Sequence, residues 1–329
     1  MSSPNSVPIY MLNNGVTIPA VAHGAWAPHS NEARSKAKEW LLTALKASRK
    51  LAIATSTLHR AIYTLDTEGV VGEVIKESKI PRKEIFITSK LSSSNHHRVA
   101  ESFEESLKAL SVDYIDLFLI HWPQAMPDDN EQQKNPDGTW KIREDITFHQ
   151  AWAELEKLME AGKVKAIGVS NFSIKTLKEL ATTAKITPAV NQVELHPYLV
   201  QENLREYCDK KGIVISAYTP SGYDTVRKDP LIVQLAEKYK VTPNQITLAW
   251  HLARHIIIIP KSLREEHQKE NINVGIIFFT KLLYQLFQLP ILDAEDIVKI
   301  SKLDRNQRIC NAADEHGQVS GWSLERLGW

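Results

Sequence analysis

Residues 85–120 decide the fold and read IFITSKLSSSNHHRVAESFEESLKALSVDYIDLFLI. The stretch opens with the apolar run Ile85-Phe-Ile-Thr-Ser. It continues through Val99–Leu110, where the apolar residues recur at helical spacing, and closes with the apolar run Tyr114–Ile120. A strand, an amphipathic helix and a second strand in this order are typical of a βαβ unit, whose strands are parallel. The stretch therefore predicts an α/β fold built on a parallel sheet.

The same alternation extends along the chain on both sides of this stretch. Phe148–Ala161 has helical spacing, and Val21–His23 and the region near Ile62 supply two earlier strands. Four later runs are predicted as buried strands: Val164–Val169, Ala189–Val193, Ile213–Ala217 and Ile256–Pro260. The total reaches eight, which is the number of strands in a closed (β/α)8 TIM barrel of about 250 residues.

Glycine usage separates this barrel from the doubly wound fold, its main competitor. A doubly wound domain normally carries Gly-x-Gly-x-x-Gly in its first strand–helix turn. The thirteen glycines never form that pattern, and Gly69-Val-Val-Gly72 alone is weak. Before the barrel, Tyr10–Leu12 and Val16–Ile18 flank Asn13-Asn-Gly15, which predicts an N-terminal β-hairpin across one barrel end. We therefore expect a single barrel domain over residues 1–329.

Composition limits the classes of partner. Forty basic and thirty-nine acidic residues give a net charge of +1, which provides no overall field for nucleic acid or an anionic membrane. Cys208 and Cys310 are too few for a disulfide framework or a thiolate zinc site and fit a reducing compartment. No secretory signal is recognisable. We expect a cytoplasmic monomer that acts on a small molecule and binds neither nucleic acid nor membrane.

Polar residues follow six successive predicted strands at the point where each strand ends. In a barrel, the chemistry lies at this C-terminal face. One such residue is typical of a solvated loop edge, but six in register predict a site. A lysine and a histidine at adjacent strand ends, facing an aromatic residue, suit proton delivery to a carbonyl oxygen. The residues are Lys90, His121, Ser170 with Asn171, Gln192, Tyr218, and Lys261 with Ser262.

Two other chemistries find little support in the sequence. A Gly-x-Ser-x-Gly elbow, typical of α/β-type serine hydrolases, does not occur. His96 and His97 are interpreted as an exposed loop pair. His251 and His255 are predicted to share a helix face, but they lack the glutamate of His-Glu-x-x-His. The sequence therefore predicts no metal site.

At these strand ends the sequence resembles the aldo-keto reductases, in particular their fungal NADP-dependent glycerol dehydrogenases and aldehyde reductases. The resemblance implies a (β/α)8 barrel that binds NADPH across its mouth and reduces small aldehydes or ketones, of glyceraldehyde or polyol type, to alcohols. The matching stretches occur in family order: Leu12–Pro19, Ile85–Leu91, Asp113–Pro123, Lys165–Phe172, Asn191–Pro197, Ala217–Pro220 and Ile259–Ser262.

The resemblance assigns roles residue by residue. Lys90 and His121 fall on two of the four catalytic positions. The family's acid is a tyrosine, and a lysine cation beside it lowers a phenol pKa that is ordinarily about 10. The histidine orients the carbonyl, and an aspartate pairs with the lysine. The remaining implied roles are nicotinamide contacts for Ser170, Asn171, Gln192 and Tyr218, 2′-phosphate contacts for Lys261 and Ser262, adenine contacts for Glu270 and Asn271, and substrate-pocket walls for Trp26 and Trp122.

The segment that should carry the tyrosine and the aspartate departs from the family pattern. Residues 48–67 are atypical and about seven residues too long by our alignment. Tyr63 is the only tyrosine in the segment, but the residue five before it is Leu58 rather than aspartate. Asp66 fits the aspartate position, which then places Val71 at the tyrosine position. The two assignments exclude each other, so a catalytically impaired nucleotide-binding relative is the alternative function.

A second departure is the apolar insertion 274–288, which the family lacks. It contains four aromatic residues and no acidic residue, so as a surface loop it would expose much apolar area. We hypothesise a retained intron or a gene-model error, to be tested by sequencing the spliced transcript; a membrane or partner-docking loop is the alternative. Two single positions also differ: Ser92 stands where relatives often have tryptophan, and His267 where an arginine usually grips the 2′-phosphate.

Overall fold

A computed structural model describes residues 8–25, 31–47, 51–54, 67–128, 131–273 and 291–329. Its strands are β1 (Ile9–Met11), β2 (Thr17–Pro19), β3 (Ala22–Gly24), β4 (Leu51–Ala54), β5 (Ile85–Leu91), β6 (Ile115–Ile120), β7 (Val164–Ser170), β8 (Val190–Glu194), β9 (Val214–Tyr218), β10 (Ile257–Ile259), β11 (Gln318–Val319) and β12 (Trp322–Ser323).

Helices lie between most of these strands. They are α1 (Asn31–Ala47), α2 (Thr67–Ser78), α3 (Val99–Leu110), α4 (Phe148–Glu160), α5 (Ile174–Leu180), α6 (Glu202–Lys211), α7 (Tyr223–Arg227), α8 (Pro230–Tyr239), α9 (Pro243–Ala253), α10 (Glu265–Asn273), α11 (Ala294–Ser301) and α12 (Leu324–Leu327). Among the helices in the described residues, none has both the length and the apolar character needed to cross a membrane.

Strands β3 to β10 form one sheet in chain order, and each neighbouring pair is parallel. The first and last strands of this sheet are also neighbours. Val21 forms a parallel bridge with Ile258, and the Ile258 amide donates to the Ala20 carbonyl at 2.9 Å. The Gly24 amide likewise donates to the Pro260 carbonyl at 3.1 Å. The predicted α/β fold with a parallel sheet is confirmed.

The central strands form because their sequences suit burial on both faces. Every residue of β5 and β6 is buried, as expected of parallel strands covered by helices. Helix α3 has the predicted bounds and turns Val99, Phe103 and Leu110 inward. Helix α4 begins after Thr147, whose side chain accepts from the Gln150 amide in a capping box.

The strand between β3 and β5 lies earlier in the chain than the sequence predicts. The prediction places it near Ile62, which is outside the described residues, whereas the sheet contains β4 at Leu51–Ala54. The run Leu-Ala-Ile-Ala is only four residues long and half alanine, so it carries little strand signal.

The N-terminal strands β1 and β2 pair antiparallel, with Tyr10 opposite Ile18. Their bounds lie one residue from those predicted. In the turn between them, the Asn14 side chain donates to the Lys165 carbonyl at 2.9 Å, and the Asn13 side chain donates to the Pro188 carbonyl at 3.1 Å. This pair therefore lies where β7 and β8 begin, at the opposite end of the sheet from the polar residues that follow the strands.

Gly168 allows a close approach between β7 and its neighbours. A Cβ atom there would lie 2.5 Å from the Val190 carbonyl oxygen and 2.7 Å from Leu119 Cδ2. We expect Gly168→Ala to lower the free energy of unfolding by about 1–3 kcal/mol, because the backbone of β8 must move to make room. Urea denaturation followed by circular dichroism measures this loss.

Gly24 in β3 provides the matched control. Its added Cβ would have Ile259 Cγ2 as nearest neighbour at 3.5 Å, an ordinary contact distance. Gly24→Ala should therefore change the free energy of unfolding by less than about 0.5 kcal/mol. Equal losses in the two variants would contradict the close approach at Gly168.

Candidate active site

The register of the parallel strands brings the predicted polar residues to one edge of the sheet. Lys90 pairs with Leu119 of β6, and the His121 amide donates to the Leu91 carbonyl at 3.1 Å. Lys90 and His121 therefore lie at the ends of neighbouring strands. The same edge carries Ser170, Asn171, Tyr218, Lys261 and Ser262 at or just after the ends of β7, β9 and β10. Gln192, predicted at a strand end, instead lies in the middle of β8, where it pairs with Ser170.

Lys90 is a buried cation at the end of β5. Burial lowers the pKa of Lys90 to about 8, and the negative charge of Glu68 acts against this lowering. Glu68 is itself buried in the first turn of α2 and accepts a hydrogen bond from the Ser89 hydroxyl. Sequence reasoning missed the charge of Glu68 beside the lysine.

Asn171 is the centre of a hydrogen-bond network at the ends of β7, β8 and β9. Its side-chain NH2 donates to the His121 carbonyl at 2.9 Å and to the Ser170 hydroxyl at 3.2 Å. Its side-chain oxygen accepts from the Tyr218 hydroxyl at 2.7 Å. The Ser170 hydroxyl in turn donates to the Gln192 carbonyl at 2.8 Å. These four residues therefore form one connected polar surface beside His121.

The backbone at Asn171 adopts a φ of 64°, in the left-handed region. Asparagine adopts this region more readily than most other residues. The turn lets the Asn171 amide donate to the Gln192 carbonyl at 2.9 Å, while the side chain faces Tyr218. The side-chain amide of buried Gln192 makes no hydrogen bond to the described residues and has both donors and acceptor available for a ligand.

Glu270 and Asn271 lie on α10 and share a partner on α9. The Asn244 side chain donates to Glu270 at 3.2 Å and to the Asn271 side-chain oxygen at 2.8 Å. Its own oxygen accepts from the Ser221 hydroxyl at 2.5 Å. Sequence reasoning missed Asn244, which has no motif of its own. It connects the two residues on α10 to the loop after β9.

The residues after β10 form a compact turn before α10. The Ser262 hydroxyl accepts from the Arg264 amide at 3.1 Å, and the Ser262 carbonyl accepts from the Gln268 side chain at 2.9 Å. Lys261 is exposed beside this turn, and His267 is half-buried in α10. The turn therefore presents a lysine cation and a hydroxyl on the same side as the other strand-end residues.

Aromatic side chains stand beside His121. The Trp122 ring lies 6.5 Å from the His121 ring and 5.8 Å from the ring of Trp329. The Arg308 guanidinium lies 3.4 Å above the Trp329 ring, a cation–π geometry. Sequence reasoning found Trp122 but missed Trp329 and Arg308, which come from the C-terminal segment.

Several sequence predictions lie outside the described residues: Trp26, Tyr63, Asp66 and the insertion 274–288. Strand β4 lies within segment 48–67 and carries no acidic residue, so it does not supply the expected aspartate.

The interpretation of the histidines is wrong in two places. His96 is buried rather than exposed. His255 does not share a helix face with His251, because α9 ends at Ala253 and His255 adopts a φ of 59° and stacks on Tyr10 at 3.8 Å. Within the described part of the chain, no three His, Cys, Asp or Glu side chains form a group that could hold a metal ion.

The buried lysine predicts a pH-dependent stability difference. The unfolded chain keeps the Lys90 proton up to its ordinary pKa of 10.5, whereas the folded protein releases it at about 8. The folded state therefore binds fewer protons between these values, and its stability rises with pH across that window. Relative to Lys90→Met, the wild type should gain about 2 kcal/mol of unfolding free energy between roughly pH 7 and 9.5.

Urea denaturation of both proteins at the two pH values measures this difference. Lys302→Met removes a positive charge from the exposed surface and controls for the change in net charge. A difference between wild type and Lys90→Met that stays constant with pH would show that burial does not perturb this lysine.

Comparison with known proteins confirms the resemblance. The model of the Aldo/keto reductase family matches residues 20–283. The chain is 37% identical over 321 residues to glycerol 2-dehydrogenase (NADP(+)) of Saccharomyces cerevisiae, covering 93% of this chain and 94% of the relative. It is 34% identical over 317 residues to aldehyde reductase YPR1 of the same yeast, with coverage of 93% and 94%.

A vertebrate relative extends the comparison. Aldo-keto reductase family 1 member A1-A of Danio rerio is 35% identical over 316 residues, which is 90% of each chain. Each of these relatives matches at least 90% of this chain. Together with the family match, they show that this chain belongs to the aldo/keto reductase family.

Proposed function

We propose that this protein is an NADPH-dependent reductase that converts small aldehydes and ketones, of glyceraldehyde or polyol type, to alcohols. The observation that carries the proposal is the placement of Lys90 and His121 at neighbouring strand ends, with the lysine buried. The names of the yeast relatives, an NADP(+)-dependent glycerol dehydrogenase and an aldehyde reductase, support the cofactor and the substrate class. A small-molecule carbonyl is then the partner, and a cytoplasmic monomer remains the expected state.

The framework of this proposal is a (β/α)8 barrel with an N-terminal β-hairpin, formed by one domain over residues 1–329. The bridge between Val21 and Ile258 supports closure of the eight strands, and the antiparallel pairing of β1 with β2 supports the hairpin. The segment 48–67 and the insertion 274–288 belong to the same domain in this proposal.

The residues at this edge fit a nicotinamide adenine dinucleotide phosphate. The uncommitted side-chain amide of Gln192 and the hydroxyl of Ser170 suit a carboxamide, and the Tyr218 ring offers a face for stacking. Lys261 and Ser262 suit a 2′-phosphate because a cation and a hydroxyl donor stand side by side. At the far end, Glu270 and Asn271 are the proposed adenine contacts. When bound, NADPH supplies the hydride that reduces the carbonyl carbon.

The protein's own part is to supply a proton and to orient the carbonyl. His121 is proposed to hold the carbonyl oxygen by a hydrogen bond. Tyr63 is the proposed proton donor, and the Lys90 cation would lower the pKa of its phenol by favouring the phenolate. Asp66 remains the competing assignment in the same segment. Among the described residues, Glu68 is the carboxylate whose charge acts on Lys90.

The substrate pocket is proposed to lie between His121 and the aromatic residues beside it. Trp122 and Trp26 are its proposed apolar walls. Ser92 is buried after β5, and its hydroxyl lies 3.1 Å from that of Ser94. A hydroxyl in place of a tryptophan ring makes the pocket larger and more polar, which favours hydroxylated carbonyls over purely apolar ones.

Reduction of glyceraldehyde by the purified chain tests the function, with the loss of NADPH absorbance as the readout. The wild type should turn over, and Tyr63→Phe or Lys90→Met should lower kcat by about 10²–10⁴-fold while NADPH still binds. Asp66→Asn tests the competing assignment, in which Asp66 rather than Tyr63 occupies a catalytic position. Tyr207→Phe, on the outer helix α6, is the control and should keep full activity. A wild type that binds NADPH but reduces no carbonyl would refute the proposal.

The cofactor preference provides a second test. His267 stands where relatives have an arginine, and an arginine fork binds a phosphate through two donors. We expect His267→Arg to raise the ratio of kcat/KM with NADPH to that with NADH by about tenfold. His316→Arg, in the loop before β11, adds the same charge elsewhere and should leave the ratio unchanged. An unchanged ratio in His267→Arg would place residue 267 away from the 2′-phosphate.

A further inference from the structure

The carboxylate of Glu194 holds a distant segment of the chain at the edge of the sheet. Glu194 is the last residue of β8 and is 0% exposed. One of its oxygens accepts from the backbone amides of Ile309 at 2.5 Å and Cys310 at 2.9 Å. The other accepts from the backbone amide of Asn311 at 3.2 Å. Three consecutive amides of the C-terminal segment thus converge on one buried acid.

Two side chains complete this arrangement. The Asn311 side chain donates to the same carboxylate at 3.3 Å, and His196 Nε2 lies 3.2 Å from it. Burial acts to raise the pKa of Glu194, but hydrogen bonds from His196 and from the Cys310 and Ile309 amides outweigh burial and bring it below its ordinary value. Glu194 is therefore a charged acceptor near neutral pH, and segment 309–311 depends on it for its position.

The same Asn311 side chain reaches the proposed nicotinamide site. Its nitrogen lies 2.5 Å from the Tyr218 hydroxyl. The direction of each bond follows from the His121 carbonyl, which can only accept, so the Asn171 atom facing it is the NH2 group. The Asn171 oxygen then faces Tyr218, whose hydroxyl must donate to it. The Tyr218 oxygen is left to accept from Asn311.

We propose that Glu194 is a positioning residue for the nicotinamide half of the cofactor site, acting through Asn311 on Tyr218 and Asn171. Its carboxylate fixes segment 309–311, Asn311 fixes the Tyr218 hydroxyl, and Tyr218 fixes the Asn171 amide. This inference rests on the proposed NADPH-dependent function. Glu194 lies two positions beyond Gln192 and is not itself a proposed cofactor contact. In this proposal it positions two groups that are: the Tyr218 ring and the Asn171 side-chain amide.

Glu194→Gln tests the proposal because it keeps the shape and removes one acceptor. In either orientation, the new NH2 group faces amide hydrogens of segment 309–311, which loosens that segment. We expect the Kd for NADPH, followed by fluorescence, to rise about tenfold. The Kd for 2′,5′-ADP, which lacks the nicotinamide, should change by less than about twofold. This ratio separates positioning from a general loss of structure.

Glu156→Gln is the matched control. Glu156 is a buried acid on α4 that accepts from the backbone amides of Lys185 and Ile186 at 2.7 and 2.8 Å, away from the strand-end residues. Its substitution should lower the melting temperature no more than Glu194→Gln, because a single oxygen, Oε1, accepts its bonds from Trp152, Lys185 and Ile186 and a glutamine retains that oxygen. It should leave the ratio of the two Kd values unchanged, since no part of the nicotinamide network depends on it.

Asn311→Ala removes the link to Tyr218 while keeping the backbone bonds to Glu194, so it tests the proposal even if Glu194→Gln folds poorly. We expect about a fivefold rise in the Kd for NADPH, with no comparable further rise when the two substitutions are combined. An unchanged NADPH affinity in Asn311→Ala, or equal losses for NADPH and 2′,5′-ADP in Glu194→Gln, would overturn the proposal. A wild type that binds no NADPH would overturn the proposed function as well.

Discussion

Backbone hydrogen bonding between parallel strands is the constraint on which the site depends. Because β3 to β10 run the same way, every strand delivers its last residues to the same edge. The register determines which side chains meet there: Ser170 pairs with Gln192, and Glu194 with Tyr218. A slip of one residue in β8 would turn Gln192 to the opposite face of the strand. The positions of the polar residues therefore depend on the register of the strands that carry them.

The opposite end of the sheet helps to hold that register. Asp116, at the start of β6, accepts from the Arg82 guanidinium at 2.7 Å, from the Ile87 amide at 2.9 Å and from the Lys165 ammonium at 2.8 Å. One buried carboxylate thus connects β5, β6 and β7 where they begin. The centre of the Tyr114 ring lies 4.0 Å from the central carbon of the Arg82 guanidinium and 4.1 Å from Lys165 Nζ. This ionic network lies at one end of the strands, and the candidate active-site residues lie at the other.

Sequence reasoning predicts the fold where the signal is local. Most strands from Ile85 onward contain short apolar runs because both of their faces are covered, and such runs are visible in a short window. The position of β4 is wrong in the prediction because Leu51–Ala54 is too short and too rich in alanine to stand out. His96 is misjudged because a polar side chain in a loop gives no local sign that other segments cover it.

Some residues of the candidate site can likewise be predicted from local sequence, and others cannot. Lys90 lies near the end of β5 and His121 directly follows β6, so strand prediction alone finds them. Asn311 is 117 residues from Glu194 in the chain, and no periodicity or spacing relates the two. Their contact depends on how the C-terminal segment packs on the finished sheet, which is a property of tertiary structure. Tyr63 and Asp66 are ambiguous for another reason: both lie outside the described residues, so their assignment rests on the sequence alone.

Two buried charged groups at this edge, Glu194 and Lys90, differ in the direction in which their surroundings shift the pKa. Glu194 accepts from three backbone amides and two side chains, so its charge is stabilised and its pKa lies below the ordinary value. Burial instead lowers the pKa of Lys90 to about 8. A carboxylate held by several hydrogen bonds fixes the position of its donors, whereas a perturbed pKa in a cleft is typical of groups that take part in proton chemistry. This edge therefore combines a carboxylate whose charge is stabilised by hydrogen bonds with an ammonium group whose pKa is lowered by burial.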